Sequence, residues 1–117
     1  MPLIKVHYSG ETQTEQLSQS TAVLSKILSR VLGKSEDFIM IIFQETESQS
    51  FGCDISLPSL YAEVKNVGSI SIETSNQLSM DLTDALVDSF DVSASRIYIE
   101  FQESERHHWG WNGKTFQ

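Results

Sequence analysis

The chain predicts an α+β fold of two βαβ units, forming a four-stranded mixed sheet with two helices on one face. Three observations predict it. First, the sequence matches itself at an offset of 58 residues. Ile39-Met40-Ile41-Ile42-Phe43-Gln44-Glu45 lies over Ile97-Tyr98-Ile99-Glu100-Phe101-Gln102-Glu103 with five of seven positions identical. The same offset places Val6, Gly10, Leu24 and Leu28 over Val64, Gly68, Leu82 and Leu86. Second, each half reads as strand, helix, strand, so each repeat is one supersecondary unit. Third, parallel strands joined by a helix cross over right-handedly, which sets both helices on the same side.

The first strand runs from Pro2 to Tyr8. Pro2 stands directly behind Met1, and a cell that trims Met1 leaves a secondary amine there. Such an amine is a base and a nucleophile, held in direction by its own ring. A strand tied into a sheet fixes it where termini usually fray. A helix follows from about Thr14 to Leu32. Leu17, Leu24, Ile27, Leu28, Val31 and Leu32 make one apolar stripe at helical spacing, and Gly33 is a natural stop. Phe38 to Glu45 closes the unit as a strand. Ile39, Ile41 and Phe43 point one way and Phe38, Met40 and Ile42 the other, so both faces are apolar, as in a strand covered on both sides.

The second unit has a strand at Leu60 to Val67, a helix from about Ser75 to Phe90 and a strand at Arg96 to Glu103. Leu78, Leu82, Ala85, Leu86 and Phe90 form the helix stripe. No third helix remains to cover the far side of the sheet. Further copies of the chain are the simplest cover, since a bare apolar face invites aggregation. A homo-oligomer is therefore expected. The tail Trp109-Gly110-Trp111-Asn112-Gly113-Lys114-Thr115-Phe116 is aromatic and glycine-rich, and reads as a short strand and turn that docks somewhere, a neighbouring copy being one candidate.

Length and composition bound the function. The 117 residues suit one domain with pseudo-repeats 2–59 and 60–117. A formal net charge of −8 leaves no basic stripe for nucleic acid or an anionic membrane. Cys53 is the only cysteine, so neither an intrachain disulfide nor a cysteine zinc cage is expected. No apolar run is long enough to span a bilayer, and no leader opens the chain. A cytoplasmic location is the default. A secreted role would require export without a signal peptide.

The familiar catalytic motifs are missing. No glycine-rich phosphate loop and no G-x-S-x-G elbow occurs. His107-His108 lacks a second ligand at helical spacing, and His7 is remote, so these read as surface residues and no metal is called for. Cys53, after Phe51-Gly52, has no accompanying catalytic pattern. What remains is Pro2, with Gly33-Lys34 at the end of the first helix, Asn66-Val67-Gly68-Ser69-Ile70 after the third strand, Arg96-Ile97-Tyr98-Ile99-Glu100 and the aromatic tail.

This ensemble resembles the macrophage migration inhibitory factor family of the tautomerase superfamily, from Met1-Pro2 to the Trp-Asn-Gly-x-Thr-Phe tail. The resemblance implies two βαβ units per chain, a homotrimer and active sites between adjacent subunits. It implies no cofactor. It implies that Pro2 is the general base in keto–enol tautomerisation of phenylpyruvate-like 2-keto acids and of dopachrome derivatives. By the same resemblance Lys34 binds the substrate carboxylate, the Val67 N–H contacts substrate, and Tyr98 comes from the neighbouring subunit. Trp111 and Phe116 form an aromatic wall, with Phe38 where a tyrosine is common. Glu100 occupies the place of a substrate-contacting asparagine, where a carboxylate repels an anionic substrate unless turned away or protonated. Pro58 is followed by Ser59 and Ala62 rather than a C-x-x-C pair, which excludes dithiol chemistry. The family also includes cytokine-like ligands of receptor proteins, so a binding factor with a vestigial pocket is the alternative. Decarboxylation or dehalogenation by the same proline is a third, weaker reading.

Each of these residues also has an ordinary explanation. A lysine is favourable at any helix C-terminus, a tyrosine suits any strand, and aromatic tails pack. Their common register with Pro2 is what favours a site. Chemistry adds a condition. An α-amine titrates near ~8 and must be neutral to act as a base. Burial and Lys34 favour the neutral form, while the negative field of the chain opposes it.

Overall fold

A computed structural model describes residues 1–117. Strand β1 (Leu3–Tyr8) leads to helix α1 (Thr14–Leu32) and strand β2 (Met40–Glu45), then β3 (Leu60–Val67), helix α2 (Ile72–Phe90) and β4 (Ile97–Ser104). A small hairpin of β5 (Gly110–Trp111) and β6 (Lys114–Thr115) completes the chain. The main sheet has the order β2-β1-β3-β4. Within each unit the strands are parallel, and the two units meet through the antiparallel pair β1 and β3. The mixed α+β architecture read from the sequence is the one observed.

The core lies between the sheet and both helices. Alternate residues Ile4, Val6 and Tyr8 of β1 and Leu60, Ala62 and Val64 of β3 pack on Leu24, Ile27 and Leu28 of α1 and Leu78, Leu82 and Leu86 of α2. Both helices therefore cover the same sheet face. At about 25 cal/mol per Å² of apolar surface removed from water, burying each such leucine or isoleucine stabilises the fold by about 1.5–3 kcal/mol. The Arg30–Asp81 pair at 3.0 Å tethers α1 to α2 but is exposed, so its contribution is about 0–1 kcal/mol.

Three expectations change. Phe38 and Ile39 lie outside the second strand. Residues Glu36–Phe38 form a 3-10 turn in which the Ser35 hydroxyl accepts a hydrogen bond from the Asp37 N–H at 3.2 Å. The turn consumes the residues that alternation assigned to the strand. Helix α2 starts at Ile72 rather than Ser75, because the Ser71 hydroxyl caps it by accepting from the Thr74 N–H. The third change concerns the far face of the sheet, which is not apolar throughout. It carries Lys5, His7, Tyr61, Glu63, Lys65, Glu100 and Gln102 by alternation from the core positions. Its large exposed apolar groups lie at the two edges, Met40 of β2 at 58% and Tyr98 of β4 at 67% exposure.

Candidate active site

Pro2 sits just before β1, with its side chain fully buried. Its carbonyl accepts the Met40 N–H at 3.2 Å, extending the β1–β2 pairing to the chain terminus. The sheet thus holds the terminus, as the strand reading requires. Around it opens a cavity of about 380 Å³ lined mainly by apolar groups, among them Met1, Pro2, Phe38, Met40, Trp111 and Phe116.

The aromatic wall is built by the tail hairpin. Asn112 and Gly113 have φ values of 52° and 85°, the left-handed pair of a two-residue hairpin turn that favours Asn-Gly. That turn presents Trp111 edge-on to Phe38, with centroids 5.4 Å apart and planes at 84°. Phe116 lies parallel to Trp111 at 6.4 Å and 9°. The Phe116 N–H donates to the Trp109 carbonyl at 3.2 Å, which closes the tail on itself.

Lys34 is placed by the end of α1. Gly33 takes a left-handed conformation at φ 67°, and the Lys34 N–H donates to the Ser29 carbonyl at 3.2 Å. The half-buried Lys34 ammonium donates to the Val67 carbonyl at 3.4 Å. Lys34 and Val67, distant in sequence, therefore meet at the pocket end of the sheet. The terminal amine lies within the influence of this lysine. Burial pushes the Met1 amine down from its ordinary value, and the positive charges of Lys34 and Arg106 push it further.

Tyr98 and Glu100 are elsewhere. His7 lies opposite Tyr61 and Tyr61 opposite Tyr98, so Tyr98 is two strands over and five residues along from Pro2, about 20 Å away by ordinary strand spacings. Tyr98 is 67% exposed and packs on Phe51, with centroids 5.0 Å apart. The Phe51 loop is gripped by Arg96, whose guanidinium donates to the carbonyls of Phe51, Asp54, Leu57 and Pro58. Glu100 accepts the Tyr61 hydroxyl proton at 2.6 Å, and this bond, with burial and Glu63, pushes the Tyr61 phenol well up. The Glu100 carboxylate is turned onto a phenol and does not project freely.

The structure also brings in residues that sequence reasoning passed over. Asp37, Met40 and Trp109 line the cavity, and Arg106 reaches the amine by charge. Trp109 was visible in the aromatic tail; Arg106 carried no local signal. Glu105, His107 and His108 gather on one exposed turn, with the His107 Nδ1 3.4 Å from a Glu105 oxygen.

Comparison with known proteins is consistent with this geometry. A family model described as macrophage migration inhibitory factor (MIF) matches residues 1–117. A macrophage migration inhibitory factor of Xenopus tropicalis is 31% identical over 93 residues, covering 80% of each chain. The crystal structure of a homologue from Prochlorococcus marinus superposes with a TM-score of 0.91 at 30% identity, covering 98% of this chain and 99% of that one. A fused 4-OT protein solved as a symmetric trimer shares the fold at a TM-score of 0.86 and 16% identity, covering 97% of this chain and 94% of that one.

Proposed function

The chain belongs to the macrophage migration inhibitory factor family, and on that premise we propose that it is a cofactor-independent keto–enol tautomerase of phenylpyruvate-like 2-keto acids, working as a homotrimer with Pro2 as general base. The observation that carries this reading is the terminus itself. A sheet-anchored proline opens into an aromatic cavity, where burial and then the charges of Lys34 and Arg106 disfavour protonation of the amine that Met1 carries.

In this mechanism Met1 is removed and the Pro2 nitrogen becomes the terminal amine. The Lys34 ammonium has three donors and spends one on the Val67 carbonyl, so others bind the substrate carboxylate, with the Val67 N–H as a further contact. Phe38, Trp111 and Phe116 hold the apolar part of the substrate. Pro2 takes a proton from the carbon next to the ketone, and hydrogen-bond donors stabilise the developing enolate electrostatically. Tyr98 of a neighbouring copy is the assigned donor. Its distance from Pro2 within one chain calls for a second copy, which a trimer supplies. Protonated Pro2 then returns the proton to give the other tautomer, and dopachrome derivatives fit the same chemistry.

The experiment is phenylpyruvate enolisation, followed by ultraviolet absorbance, on processed protein and on protein that retains Met1. A retained Met1 turns the proline nitrogen into a non-basic amide, so only processed protein turns over. Equal turnover by the two forms removes Pro2 from the mechanism.

The second reading, a cytokine-like protein-binding factor with a secondary pocket, is favoured by the relatives' names, which refer to cell migration and not to a reaction. Its test is binding to a receptor ectodomain, repeated with the cavity filled by a substrate analogue.

A further inference from the structure

Glu105, His107 and His108 meet on the turn between β4 and the tail hairpin. Glu105 is extended at φ −74° and ψ 151°, and Arg106–His108 follow as a 3-10 turn in which the His108 N–H donates to the Glu105 carbonyl at 3.0 Å. Residues three apart eclipse in such a turn, so Glu105 and His108 share one side and His107 stands beside them. The two imidazole rings lie 4.0 Å apart between centroids, inclined at 55°. The His107 Nδ1 is 3.4 Å from a Glu105 oxygen, and one ligand atom from each of the three residues falls within 4.8 Å of the others. A contact of 3.4 Å is longer than the usual N–H···O hydrogen bond of about 2.7–3.2 Å. It matches the spacing of about 3.4 Å between two donors that share one tetrahedral ion at about 2.0–2.1 Å.

We propose that Glu105, His107 and His108 form a surface site for a divalent cation of the zinc class. Two imidazoles and one carboxylate are the donor set of three-ligand zinc sites, which leave the fourth position to water. The same set selects zinc, nickel or copper over calcium and magnesium, which prefer oxygen ligands alone. An ordinary ion pair accounts for Glu105 and His107 but not for the second imidazole held against the first. All three side chains are exposed, so an ion enters without displacing any packed group, and the net charge of −8 draws cations to the chain. The one nearby cation, Arg106, is occupied at the chain end. It donates to the carbonyls of Phe116 and Gln117, and the terminal carboxylate offsets its charge. The site is independent of the tautomerase reading and adds no step to it. An ion here fixes the turn from which Trp109 enters the cavity wall, since the Trp109 N–H donates to the Arg106 carbonyl within that turn.

The test is Zn²⁺ titration by calorimetry of the full chain without a histidine tag. One ion is taken up per chain. His107→Gln and His108→Gln each weaken uptake by about 10–100-fold, since a ligand is worth at least as much as an outer partner, and Glu105→Gln weakens it by about 10-fold. The remaining histidine and the exposed thiol serve as controls: His7→Gln and Cys53→Ser leave uptake unchanged. In a second readout, Zn²⁺ moves the imidazole ring resonances of His107 and His108 and leaves those of His7 in place. A wild type that takes up no Zn²⁺ at about 1 mM overturns the proposal. So does uptake that survives the double His107→Gln, His108→Gln change, or uptake that is lost with Cys53→Ser. Failure of the protein to enolise phenylpyruvate leaves this result untouched.

Discussion

At the scale of single residues, Lys34 of one copy and Glu100 of a neighbouring copy divide the electrostatics of the proposed trimeric site. Glu100 spends one carboxylate oxygen on the Tyr61 hydroxyl at 2.6 Å, which limits but does not remove its repulsion of an anionic substrate. Glu100→Gln is expected to lower KM for phenylpyruvate by about twofold to fivefold, the size of a partly exposed charge interaction, with kcat little changed. Lys34→Ala acts oppositely. Loss of a charge-assisted contact worth about 1.5–3 kcal/mol raises KM by about 10-fold to 100-fold. The pH dependence follows from the amine. The active form of the Pro2 amine is neutral, and the burial and positive charges that lower the Met1 amine act at the same end of the strand, so kcat/KM is expected to rise with pH and to reach half its plateau below the ordinary value near ~8. A midpoint above that value means that the negative field of the chain prevails. Pro2, Lys34 and the tail aromatics were legible because each is carried by a short local pattern. Arg106 was not, because only the folded tail places its guanidinium against Phe116 and Gln117.

At the scale of elements, the strands and helices followed from apolar periodicity, and the differences lie at their ends. The start of α2 was obscured because Ile72 is 78% exposed and contributes nothing to the stripe. The Ser71 cap was the available signal. Ser71→Ala removes the bond to the Thr74 N–H and is expected to destabilise the fold by about 1 kcal/mol, read as a lower urea midpoint at unchanged slope. Phe38 was assigned to a strand because its neighbours alternate. The Ser35-capped turn places its ring on Trp111 instead, so this departure from the strand supplies part of the proposed substrate wall. The tail hairpin was legible from Asn112-Gly113, although its docking partner was not, since hydrophobic pattern does not specify which surface a short hairpin meets.

At the scale of the whole molecule, the separation of Tyr98 from Pro2 has the largest consequence. The far sheet face proved largely polar along its central strands, so the large apolar groups it offers neighbours lie at its edges, Met40 on β2 and Tyr98 on β4. That distribution was legible in the alternation of Lys5, His7, Glu63 and Lys65, and was missed because one strand, β2, was taken to represent all four. A proposed site that takes Pro2 from one copy and Tyr98 from the next predicts complementation. Pro2→Gly and Tyr98→Ala copies, each inactive alone, recover about a quarter of wild-type activity when unfolded together and reassembled at equal ratio, because random closed assemblies restore that share of mixed interfaces. No recovery, with mixed assemblies verified by mass, places both residues in one chain's site.

The central claim is that the Pro2 amine is the base. It is tested most directly by comparing phenylpyruvate enolisation of wild type and Pro2→Gly, both shown by intact mass to lack Met1 and by sedimentation to assemble alike. Loss of a positioned base predicts a fall in kcat of about 100-fold to 10,000-fold. Turnover by Pro2→Gly equal to wild type contradicts the account.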